Sequence, residues 1–222
     1  MKYKNAYEGM KKIVAAEALQ IISAGLAIIV ALLGVTALTG AAAAAEGSEA
    51  GAVGAVASGL GVVLLSLGIA VLGIISVIFM IIGLKKASED EPKYFKNAFI
   101  MSVLLLIANL IVGLAGVIPF FGTIASVLKT FLNVATIAVY VFTVMGISTL
   151  AKDLGRDDVV SMGNVILVIE VVQIVLATIA SFTSGILLVI AAIVSLIGYI
   201  IYLVYLTKGK KMLEARCAEP QR

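Results

Sequence analysis

Apolar and polar residues alternate along this chain on the scale of whole helices rather than of single turns. Apolar stretches at about 13–39, 60–83, 98–117, 123–150, 159–180 and 186–207 are separated by short polar or small-residue segments. Each has about 20 residues or more, enough at about 1.5 Å per residue to carry a helix across roughly 30 Å of hydrocarbon. The pattern predicts an all-α polytopic bundle of six spans, forming one domain over residues 1–222.

The segments between the spans differ in kind. Residues 1–12 place Tyr3, Tyr7 and Met10 at i, i+4 and i+7 among lysines. That spacing suits a short helix on a membrane surface, although a basic flank that orients the first span is the simpler reading. The flank, the apolar run and Ala41–Ala45 together imitate a signal peptide, but the run is nearly twice the usual length of a signal core. It is read as a span. Residues 40–59, GAAAAAEGSEAGAVGAVASG, read as a loop or a short Ala-rich helix outside the membrane. Pro92 marks a break in the charged connector 85–97, and Ile118-Pro119-Phe120-Phe121-Gly122 marks a tight turn. From Lys208 the chain reads as a basic tail.

Composition narrows the class further. Hydrophobic residues are 62% and charged residues 13%, against about 25% charged in a soluble domain. The net charge of +3 does not indicate nucleic acid, because the basic residues sit in short connectors. Four of the sixteen lysines and arginines precede residue 13, four lie in 85–97, two in 151–158 and five from Lys208 onward. All fifteen fall on one side of a six-span arrangement, and Lys129 is the exception. The positive-inside rule then predicts a multi-pass protein of the cell membrane with both termini in the cytoplasm.

The spans also suggest a threefold repeat of helical hairpins, at about 1–90, 91–157 and 158–210. Glu17-Ala-Leu-Gln20 in the first span matches Glu170-Val-Val-Gln173 in the fifth, and Asn109 takes the amide position in the third. Parallel repeats about an axis along the membrane normal would set Gln20, Asn109 and Gln173 in a ring at one depth.

Candidate chemistry centres on Glu170, a carboxylate in the middle of the fifth span. A charge there costs on the order of 3 kcal/mol on insertion scales, so it is expected to face inward, paired or protonated. In span four Lys129, Asn133, Thr136, Tyr140 and Thr143 recur at helical spacing, and Ser195, Tyr199 and Tyr202 do so in span six. Lys129 is a candidate ion-pair partner for Glu170. Glu17, near the cytoplasmic end of its span, is expected to snorkel. The candidate binding residues are therefore Glu170, Gln173, Asn109, Lys129, Asn133, Tyr140, Gln20 and Tyr199.

No catalytic, metal or cofactor site is expected. The chain has no His, a single Cys (Cys217) and no phosphate-binding glycine motif. All four aspartates fall in connectors, so a paired-aspartate intramembrane protease is not encoded. The leading expectation is a small-solute binding or transport protein, permease-like or channel-like, using the polar faces of spans three to six. The alternative is a non-catalytic accessory subunit that recruits partner proteins. Expected partners are the bilayer, a small solute, and a second copy or another membrane protein.

The topology is testable by thiol labelling in a Cys217→Ala background. Cysteines at Ser48, Thr123 and Ser184 should react with an impermeant reagent added outside intact cells, and cysteines at Ser88 and Asp153 should not. The reverse pattern would invert the orientation.

Overall fold

The structure is a computed structural model that describes residues 3–115, 122–181 and 186–218. Six helices account for nearly all of these residues: α1 (Lys4–Ala45), α2 (Glu49–Asp90), α3 (Phe95–Ala115), α4 (Gly122–Asp153), α5 (Asp157–Ser181) and α6 (Ile186–Ala218). All six are long and apolar enough to cross a membrane. The turn expected around Pro119 and the 182–185 link lie outside the described residues.

Two compact units emerge from the contacts. One contains Ala15–Met80, and the other Met1–Val14 with Ile81–Arg222. The first comprises the greater part of α1 and α2. The small-residue segment 40–59 is not a loop: α1 runs to Ala45 and α2 starts at Glu49, leaving a three-residue reversal. Alanine is the best helix former, so an Ala tract extends a helix unless something stops it. Gly47 stops it with φ +92°, while Ser48 N–H donates to the Ala43 carbonyl at 3.1 Å. Ser48 Oγ then accepts from Gly51 N–H and caps α2. Lower in the same unit, Ser76 Oγ donates across to the Ala16 carbonyl at 2.9 Å.

The second unit holds α3–α6 with the first turns of α1 and the last turns of α2. Here the helix ends interlock. Asp90 Oδ2 accepts from Ala6 N–H at 2.7 Å and so caps α1 from the far end of α2. Lys86 Nζ forms an ion pair with Glu8, and that hydrogen bond holds the Glu8 carboxyl below its ordinary range. Gly9 and Gly83 let the two backbones touch: a Cβ at Gly9 would lie 2.5 Å from the Gly83 carbonyl oxygen. At the next connector, buried Glu91 accepts from the N–H groups of Tyr94 and Phe95 and caps α3. The break falls around Pro92, as its lack of a donor requires. Gly155, φ +64°, ends α4, and Arg156 grips Asp158 through two hydrogen bonds of 2.9 and 3.0 Å at the start of α5.

Two expectations need correcting here. The N-terminal segment is no separate surface helix but the first turns of α1, with Tyr3 and Met10 buried in the protein. The tail from Lys208 is no free tail: α6 continues to Ala218, and Met212 and Leu213 are buried. Met10 and Ile147 both close on Gly209. One set of buried apolar residues of this unit lies in these end turns, among them Met10, Leu84, Phe95, Leu150 and Val159, and a second set, with Val144, Ile166, Tyr202 and Leu206, lies further along α4, α5 and α6. Elsewhere the helix shafts expose Leu, Ile and Val, as at Val168 and Leu196. Helices pair in sequence, α3 with α4 and α5 with α6, and α4 also packs on α5 and touches α6.

The glycine contacts give opposite expectations for one substitution. Gly9→Ala meets backbone and should destabilise by about 1–3 kcal/mol. Gly25→Ala, with open space around it, should stabilise by up to about 1 kcal/mol through helix propensity. Melting of both variants in mild detergent checks the pair. Equal shifts would contradict the close backbone approach.

Candidate functional site

The polar side chains of α4, α5 and α6 meet along one seam. On α5 the seam is a stripe at helical spacing: Val159, Gly163 and Ile166 are buried, and Glu170 and Gln173 continue the same face half-buried. The intervening Val165, Val168, Val171 and Val175 are all exposed, so the stripe is the inward face of this helix.

Three contacts set the register. Tyr205 of α6, fully buried, donates to the Val144 carbonyl at 2.9 Å and shares a 2.9 Å hydrogen bond with Ser148 Oγ, both on α4. Gly163 of α5 leaves room for that knot, since a Cβ there would lie 2.9 Å from the Tyr205 hydroxyl. Further along, Gln173 Nε2 donates to the Val194 carbonyl at 3.2 Å and lies over Gly198, which also abuts Ile169. Between these two points Tyr140 of α4 and Tyr202 of α6 stack with centroids 4.2 Å apart and ring planes at 39°. Glu170 falls on α5 between Gly163 and Gln173, next in sequence to the Ile169 that abuts Gly198. Compared with protein-family models, curated proteins and solved structures, the chain matches none. The seam therefore has to be read from its own chemistry.

That chemistry comprises a half-buried carboxylate on α5, a stacked tyrosine pair and an amide that bonds across to α6, with hydroxyls turned back onto their own helices. Thr143 Oγ1 donates to the Val139 carbonyl, and Thr136 Oγ1 to that of Leu132. Such a seam can hold a small polar or cationic group, or a proton, out of contact with the apolar outer faces. Among the described residues no group of three or more His, Cys, Asp or Glu is arranged for a metal ion.

The expected residues fare differently. Glu170, Gln173, Tyr140 and Tyr199 lie on α5, α4 and α6 around the seam. Lys129 and Asn133 are on α4, but their side chains lie outside the described residues. The expected Lys129–Glu170 pair therefore falls outside the described residues. Gln20 and Asn109 are exposed, and Asn109 Nδ2 donates to the Leu105 carbonyl of its own helix. Gln173 by contrast bonds across to α6, so the three amides occupy different environments. Glu17 does not snorkel: it is 6% exposed.

Tyr205 and Ser148 were missed by sequence reasoning. Tyr205 follows Tyr202 by three residues, so the stripe of span six runs one turn further than its polar-looking part. Ser148 has no comparable signal, since it reads as part of a connector-proximal GISTLAKD segment.

The knot predicts coupling. Tyr205→Phe should cost about 1 kcal/mol and Ser148→Ala somewhat less, with the double variant losing less than the sum of the two. Strict additivity of the melting losses would show that the hydroxyl contact carries no energy.

Proposed function

We propose that the chain is an integral membrane protein of six spans, with both termini on the cytoplasmic side, that binds and moves a small solute along the α4–α5–α6 seam. The observation that carries this reading is the position of Glu170. It lies on the inward stripe of a helix whose other faces expose valine and isoleucine, and between two tightly tied points. A carboxylate is expensive in an apolar span and serves structure poorly unless it is fully paired. The stretch around it suits a cation or a proton in transit. The three consecutive hairpins are read as parallel repeats, supported by the matching Glu–x–x–Gln marks at Glu17 and Glu170. That support is one of sequence alone, since Gln20 and Asn109 are exposed while Gln173 bonds across to α6.

The membrane reading also accounts for where the buried residues sit. Lipid supplies no hydrophobic force to bring apolar shafts together, so helices there meet through small residues and polar links. The helix ends lie in water, where burying a Leu, Phe or Tyr stabilises by about 1.5–3 kcal/mol each.

A second reading, an accessory subunit that recruits partners, is favoured by the α1 shaft, whose most apolar window has no buried residue. Glu170→Gln separates the two. On the transport reading the purified variant melts like the parent, yet loses the shift that a small-molecule melting screen finds for the parent and loses flux of that solute in liposomes. A parent without any ligand-dependent shift, and a Glu170→Gln variant without functional loss, would favour the accessory reading.

A further inference from the structure

We propose that the outer face of α2, toward its N-terminal end, is the surface on which a second copy of this chain docks. Val53, Val56, Leu60, Val63 and Leu67 follow one another at spacings of 3, 4, 3 and 4, and each is more than half exposed. That is the a/d spacing of a parallel helical seam. The opposite face of α2 is already occupied by α1. A Cβ at Gly40 would lie 3.0 Å from the Ala55 nitrogen, and one at Gly51 would lie 2.8 Å from the Ala43 Cβ. The hairpin thus closes on Gly51 and Ala55, and the Val–Leu stripe lies on the far side of the helix.

Exposed Leu and Val in a membrane span need no protein partner, because lipid tails cover them. Depth sets this stripe apart. The charge-free run of α2, residues 50–84, is about 52 Å long. With Lys85 and Lys86 at the interface, a hydrocarbon core of about 30 Å crossed at a tilt of about 20° takes up about 21 residues, as far as residue 64. Val53, Val56, Leu60 and Val63 then stand among headgroups and in water. At about 40°, the upper end of the usual range, Val53 and Val56 still lie outside. Apolar side chains at that depth face water unless protein covers them.

A second copy fits the stripe in register. Copies inserted in one orientation are related by a two-fold axis along the membrane normal, which sets α2 parallel to its counterpart at equal depth. Val53 then meets Val53 and Leu60 meets Leu60, as a heptad seam requires. The stripe continues into the hydrocarbon through Val71, Ile74 and Ile78. Eight side chains of on the order of 100 Å² each give about 800 Å² per copy, the size of a standard stable interface. Glu49 extends the stripe only at its outermost end, where water and salt screen the two carboxylates. The inference rests on the six-span membrane reading for depth, and not on Glu170 or any solute.

The test uses the full chain in liposomes. In a Cys217→Ala background V56C should form an intermolecular disulfide on mild oxidation, and G54C, at the same depth but off the stripe, should not. Energy transfer between two labelled populations, followed as lipid dilutes the protein, should report a dimer for the parent, for V56L and for G54E. V56E should raise the dimer dissociation constant at least about tenfold, because two like charges then face each other. V56E and G54E should melt alike in mild detergent, which separates loss of the partner from loss of the fold. Equal dimer loss in V56E and G54E would overturn the docking surface. So would a V56C protein labelled only by a lipid-soluble thiol reagent, since lipid would then cover the stripe. A monomeric parent that stays in membranes washed with alkaline carbonate would sink the dimer and leave the six-span reading standing. A Glu170→Gln protein that loses solute binding yet dimerises like the parent would show that docking is independent of the seam.

Discussion

The hydrogen bond from Ala6 N–H to Asp90 is the contact on which the arrangement of the helix ends depends. It joins the start of α1 to the end of α2, and with it come the Glu8–Lys86 pair and the Gly9–Gly83 approach. Ahead of α1, Tyr3 sits at φ +71°. A donor at a helix start left without a partner costs about 1–3 kcal/mol when buried, and Asp90 removes that cost. Because α1 is fixed at its foot, Met10 can close with Ile147 on Gly209, which ties α4 and α6 to the same end.

Much of the architecture was legible from residue pattern alone. Six helices, a break at Pro92 and a connector within 151–158 follow from long apolar runs punctuated by Pro, Gly and charge. The polar stripe of span four was also legible, and its Tyr140 meets Tyr202 of α6. What failed was the reading of segments whose composition is ambiguous. Ala–Gly tracts resemble loops by residue size, yet alanine continues a helix, and only Gly47 and Ser48 interrupt it. The start of α1 read as a basic flank, with a surface helix as the alternative, because periodicity shows that a face is buried without showing against what. It packs on the end of α2 and on the helical extension of α6 to Ala218, which looked like a tail because of its lysines and arginines.

Depth along a span was the least legible quantity. The Ser148–Tyr205–Gly163 knot supplies the register that the sequence lacks, and it sets Glu170 on the same stripe of α5 as Gly163 and Ile166.

On the proposed reading, Glu170 faces a hydrated seam while its neighbours on α5 face lipid. Cysteine accessibility in a Cys217→Ala background tests it directly. Cysteine in place of Glu170 should react with a small water-soluble thiol reagent, and cysteines at Val168 and Val171 should react only with a lipid-soluble one. Labelling of positions 168 and 171 by the water-soluble reagent, with position 170 protected from it, would contradict the account.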